Sequence, residues 1–169
     1  GLVVVYASTF LSGGKPGDGA VNRDIARFVS GPILTDHARA LFGSDNVFVI
    51  NPAGAEANLP SARSGDDYMW FWSELLLGDK GGGDIQAYHF TGSRMVRAYF
   101  DARGEKVPPE LEGRGLDNSA GMRQEWNAAL ERNRREGIGG RMIHLFLDGL
   151  PVPMAAQKPL AVPTFRQIG

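Results

Sequence analysis

The run LVVVYA at residues 2–7 sets the first limit on the fold. Consecutive apolar, largely β-branched residues suit a strand covered on both faces, not one half open to water. Such strands sit centrally in parallel sheets, and a parallel sheet needs crossover segments long enough to hold helices. The chain supplies them. Residues 8–19, rich in Ser, Gly and Pro, read as a loop, and a helix is expected from about Ala20, where Ile25, Phe28 and Val29 recur at helical spacing. Gly31-Pro32 is expected to kink it before it resumes as ILTDHARALF.

The pattern then repeats. Residues 46–51 (NVFVIN) predict a second strand and residues 52–65 a polar loop, after which Asp66 or Asp67 caps a helix reaching Leu77. The Gly81-Gly82-Gly83 break leads into a third strand at 85–90 (IQAYHF) and a Thr91-Gly92 turn, with Ser93 as the next expected helix cap. That helix runs to about Ala102, and a loop marked by Pro108-Pro109, Gly113 and Gly115 follows. Asn118 or Ser119 caps a further helix to about Arg135, and residues 141–147 (RMIHLFL) form the fourth strand. The expected fold is α/β: a three-layer sandwich on a mostly parallel central sheet, Rossmann-like or flavodoxin-like in kind. Residues 1–150 form its single domain, and the Pro-rich tail 151–169 lies extended on that domain or on a partner subunit.

Composition narrows the function. With 18 Lys and Arg against 19 Asp and Glu, the chain lacks the basic field that sequence-independent nucleic-acid binding uses. A small-molecule substrate is expected instead. The absence of cysteine removes disulfides, thiolate catalysis and Cys-based zinc sites. The first apolar run is too short to span a bilayer and no basic residues precede it, so the expectation is a cytoplasmic protein without membrane contact.

Ligands of such folds bind outside the carboxyl ends of the strands. The first of these loops reads Ser8-Thr9-Phe10-Leu11-Ser12-Gly13-Gly14-Lys15, a cluster of hydroxyls and amides able to hold a phosphate or sugar, or an ordinary surface loop. It is neither a Walker loop nor a GxGxxG turn. Glu125, near a helix start, is a candidate nucleophile or general base; the plain alternative is a solvated glutamate on a helix face. Asp66-Asp67 and Asp84 are candidates for a second acid, against helix capping for the aspartate pair and a turn role for Asp84. His37, His89 and His144 are scattered and read as neutral core or strand-end residues, so no metal is expected. The crowded Tyr68, Trp70, Phe71 and Trp72 offer a surface for stacking a base, but Met69 and Leu75 to Leu77 make helix packing the simpler reading.

Three segments resemble the nucleoside 2-deoxyribosyltransferase superfamily, which includes nucleotide N-glycosidases. They are VYASTFLSGG, like its opening strand and substrate loop; DDYMWFWSELLLGDKGGGDIQAYHFTG, like its aspartate-bearing helix leading to the third strand; and Ser119-Ala120-Gly121-Met122-Arg123-Gln124-Glu125, like its glycine-then-glutamate helix start. The resemblance implies a hydrolase or transferase of N-glycosidic bonds in which Glu125 attacks the anomeric carbon. Tyr6, Ser8, Thr9, Ser12, Gly13 and Gly121 would then line the substrate site, and Asp67 or Asp84 would handle the base. It also implies a nucleoside or nucleotide as substrate, no cofactor, and a homodimer. Two other readings stand beside it: a non-catalytic α/β binding or interaction module, and a different hydrolase or transferase using the same crevice.

Overall fold

The computed structural model describes residues 1–10, 18–55, 85–136 and 142–162. Strand β1 (Val3–Ser8) is buried along its whole length, as a continuous apolar run requires. It pairs in parallel with β2 (Val47–Ile50) on one side and β3 (Ile85–Phe90) on the other. Strand β4 (His144–Leu147) extends the sheet in parallel beside β3. A short β5 (Leu150–Pro151) returns antiparallel on β4, giving the order β2-β1-β3-β4-β5. The α/β fold and the four parallel strands read from the sequence are therefore present. The fifth strand was not foreseen: Asp148 and Gly149, both with positive φ (53° and 78°), reverse the chain.

Strand alternation assigns the two faces. Val5, Ala87, His89 and Phe146 meet helix α2 (Leu34–Phe42), where they line a small cavity of about 10 Å³ with Leu34, His37, Ala38, Leu41 and Phe42. The alternate residues Tyr6, Ser8, Tyr88 and Phe90 face the long helix α5 (Ala120–Glu136), which reaches them through Glu125, Trp126 and Arg132. Trp126 packs edge-on against Phe90 with ring centroids 5.1 Å apart. Helices thus cover both faces, and the apolar core lies on either side of β1 and β3.

Local differences from the sequence reading have physical causes. Helix α1 (Asp18–Phe28) ends in a wide turn over Val29–Ile33, where Gly31 leaves helical geometry (ψ −123°) ahead of Pro32 before α2 begins, so the expected kink is there. The expected loop after β2 instead starts with a helical turn, α3 (Pro52–Ala55). Proline suits a first helical position, and the Asn51 side chain accepts from the Ala53 amide. Helix α4 (Ser93–Asp101) is not capped by Ser93: the N-cap position is Gly92, which has no side chain to offer. Ser119 does cap α5, its hydroxyl accepting from the Met122 amide at 3.4 Å. Strand β4 starts later than expected because the Asn133 carboxamide takes both the N–H and C=O of Ile143, at 2.8 and 3.1 Å. The helix expected between Asp66 or Asp67 and Leu77 lies outside the described residues.

The segment after β5 runs along α5. Arg123 donates to the Ala161 carbonyl, Trp126 to that of Lys158, and the Asn127 amide exchanges two hydrogen bonds with Leu160. These donors lie one turn apart on the face of α5 that flanks Glu125, so the tail fixes the helix carrying the candidate nucleophile. Among the described residues, no helix is long and apolar enough to cross a membrane.

Candidate functional site

Chain order reverses between β1 and β3, since β2 lies to one side of β1 while β3 and β4 continue on the other. At such a switch point the connecting segments leave in opposite directions and open a crevice at the carboxyl ends of the strands. Here those ends are Ser8-Thr9 and Phe90-Thr91. They are tied together by a backbone bond from the Thr91 amide to the Ser8 carbonyl (3.0 Å) and a hydroxyl contact between Thr9 and Thr91 (3.0 Å).

Just beneath this edge, α5 presents Glu125. The residue is buried, which overturns the solvated-glutamate alternative. Its Oε1 accepts from the Tyr6 hydroxyl at 2.7 Å, and its Oε2 accepts from the Ser8 hydroxyl. Hydroxyl donors to a carboxylate make charge-assisted bonds, about twice as strong as neutral ones, and one on each oxygen fixes the plane of the group. Three of the residues chosen from sequence therefore converge: Tyr6, Ser8 and Glu125. Gly121 lies one helical turn ahead of Glu125 on α5, and Thr9 turns to Thr91 rather than to the carboxylate. Ser12, Gly13, Asp67 and Asp84 lie outside the described residues.

The turn after β3 is held from a distance. Asp148, at the end of β4, accepts from the amides of Gly92 (2.7 Å), Arg94 (3.1 Å) and Met95 (3.1 Å), supplying the cap that α4 lacks locally. A carboxylate there also favours the positive end of the helix. The approach is close enough to demand glycine: a Cβ on Gly92 would lie 2.5 Å from Asp148 Oδ2. On its other side Gly115 packs so tightly that a Cβ there would come within 2.8 Å of the Gly92 Cα. This pins the 113–118 loop against the Thr91-Gly92 turn, with Asn118 bridging the Gly115 amide and Gly113 carbonyl. It also carries the Arg114 guanidinium to 5.2 Å from the centre of the Phe10 ring, just past β1.

On the opposite face, His89 Nε2 accepts from the Gly149 amide at 2.9 Å, holding the β4–β5 turn against β3. Burial, reinforced by the neighbouring His37, pushes its pKa down to about 3, so the ring is neutral at ordinary pH. That matches the reading of His89 as a core histidine.

Sequence reasoning did not select Arg132 and Tyr88. Arg132 is fully buried on α5, and its Nη1 donates to the Tyr88 hydroxyl at 3.0 Å. The signal was present only jointly: Arg132 falls two helical turns after Glu125, on the same face, and Tyr88 has the same strand parity as Phe90. No protein-family model matches the chain, and no curated protein or solved structure matches it either.

Proposed function

We propose that this protein cleaves or transfers the N-glycosidic bond of a nucleoside or nucleotide, with Glu125 as the nucleophile. The observation that carries the reading is the buried Glu125 carboxylate, oriented by Tyr6 and Ser8 near the carboxyl ends of β1 and β3, where folds of this kind bind ligands. A carboxylate in that setting suits an oxocarbenium-like centre: it opposes the developing positive charge and can then bond to it.

In the proposed reaction a Glu125 oxygen forms a bond to the anomeric carbon as the carbon–nitrogen bond to the base breaks. The departing base takes its electron pair and a proton from an acid, a role the sequence resemblance gives to Asp67 or Asp84. Water, or the nitrogen of a second base, then attacks the anomeric carbon and gives its proton to the deprotonated acid of the first step, while the carbon–oxygen bond to Glu125 breaks and frees the carboxylate. Tyr6 and Ser8 keep the carboxylate aimed throughout. We place the reaction in the cytoplasm and expect a homodimer, with a second copy of the chain against the exposed Leu147, Leu150 and Met154.

Replacing Glu125 with Gln tests this. The amide keeps nearly the same volume and can still bond to both hydroxyls, so the fold should persist while the charge is lost. Wild type and variant are incubated with a panel of nucleosides and nucleoside monophosphates, and free base is followed by chromatography. Base release by wild type that drops on the order of a thousandfold in E125Q supports the reading. Equal release by both proteins removes Glu125 from the mechanism, and no release by either across the panel favours a binding module.

A further inference from the structure

The buried Arg132 has no part in the reaction just described, yet it is tied to it through two tyrosines. Tyr6 and Tyr88 are register partners on β1 and β3, with ring centroids 5.8 Å apart and planes tilted by 48°. Tyr6 donates to Glu125, and Tyr88 accepts from Arg132. All four side chains are buried, and both charged groups project from one face of α5 onto one row of the sheet.

We propose that Arg132 is a positioning residue for Glu125. Its guanidinium holds the Tyr88 hydroxyl, the Tyr88 ring backs the Tyr6 ring, and Tyr6 thereby keeps its hydroxyl on Oε1 of the carboxylate. The two residues stand two helical turns apart on one face of the helix, about 10 Å along its axis, and a permanent positive charge on that face adds to the positioning by favouring the ionised carboxylate. A planar, permanently charged fork suits this task because it fixes an acceptor's direction and cannot lose its proton. The inference rests on the proposed role of Glu125, but its geometry can be measured without turnover.

The test uses three variants of the full chain: R132M, which removes the charge; R132K, which keeps it; and Y88F, which removes only the hydroxyl. Protein labelled with ¹³C at the glutamate carboxyl carbons is titrated by NMR, the Glu125 signal being identified by its loss in E125Q. The pH at which Glu125 takes up its proton should move upward in R132M, return most of the way in R132K, and move upward less far in Y88F. In the base-release assay, kcat should fall about ten- to a hundredfold in R132M with little change in KM. An unmoved Glu125 signal in folded R132M and Y88F overturns the inference. If R132M does not fold, Y88F decides by the same criterion. A moved signal in a protein that releases no base from any substrate supports the link from Arg132 to Glu125 while refuting the catalytic reading.

Discussion

Acid should destabilise this protein through His89 in a way that one substitution isolates. The imidazole titrates near its ordinary 6.5 in the unfolded chain but only at about 3 in the folded one, because burial, and next the neighbouring His37, disfavours the charged ring. Below pH 6.5 the unfolded state therefore binds a proton that the folded state refuses, and stability falls with pH. The contribution is fully present above the unfolded value and is lost as pH drops from 6.5 towards 3. For one such group the loss approaches 1.4 kcal/mol per pH unit and reaches about 2 kcal/mol at pH 5. Urea unfolding at steps from pH 7.5 to pH 5 measures this in wild type and in His89→Gln, whose carbonyl can still accept from the Gly149 amide without titrating. His37 and His144 remain in both proteins, so the difference between the two slopes belongs to His89. The variant should start less stable at neutral pH and lose about 2 kcal/mol less on acidification. Parallel curves would refute the buried, neutral state assigned to this ring.

Removing the carboxylate in Asp148→Ala strips three amides at the start of α4 of their acceptor, which should cost roughly 2 kcal/mol and lower Tm by about 4–8 °C in a thermal melt. A change of under one degree would show that the cap at the end of β4 is dispensable. Tyr6→Phe leaves Oε1 of Glu125 without its hydroxyl donor in a buried site, so a loss of about 1.5–3 kcal/mol by urea unfolding is expected, together with slower base release. Full stability and full rate in this variant would mean that the tyrosine does not orient the carboxylate.

The parts of the fold legible in the sequence were those governed by neighbours in the chain. Residues 2–7, 47–50 and 85–90 announced strands through short apolar runs, and Gly31-Pro32 announced the kink by removing an amide and helical geometry together. Glu125, Tyr6 and Ser8 stand out in the sequence in part through a resemblance, and their meeting across 119 and 117 residues depends on how α5 packs on β1. Pairings of that kind leave little trace in local pattern. Asp148 was visible as a strand end but not as the cap of a helix beginning over 50 residues earlier. Arg132 looked like one more polar residue of a helix, because its burial follows from where Tyr88 stands in the sheet. The turn at Pro52–Ala55 has the composition of a loop, although a proline one residue after Asn51 is also how a helix starts.

The central claim is that the Glu125 carboxylate bonds to a sugar carbon, and trapping that bond tests it most directly. A nucleoside carrying fluorine at the 2-position of its sugar slows both formation and hydrolysis of a glycosyl ester by destabilising the cationic transition states, and a good leaving base restores formation. The protein would be incubated with such an analogue, weighed intact by mass spectrometry, and then digested to locate the adduct. The account predicts a mass increase of one fluorosugar on the peptide containing Glu125, absent from E125Q and reversed by adding an acceptor base. An adduct on another residue, or steady base release from an ordinary substrate with no adduct on Glu125, would contradict it.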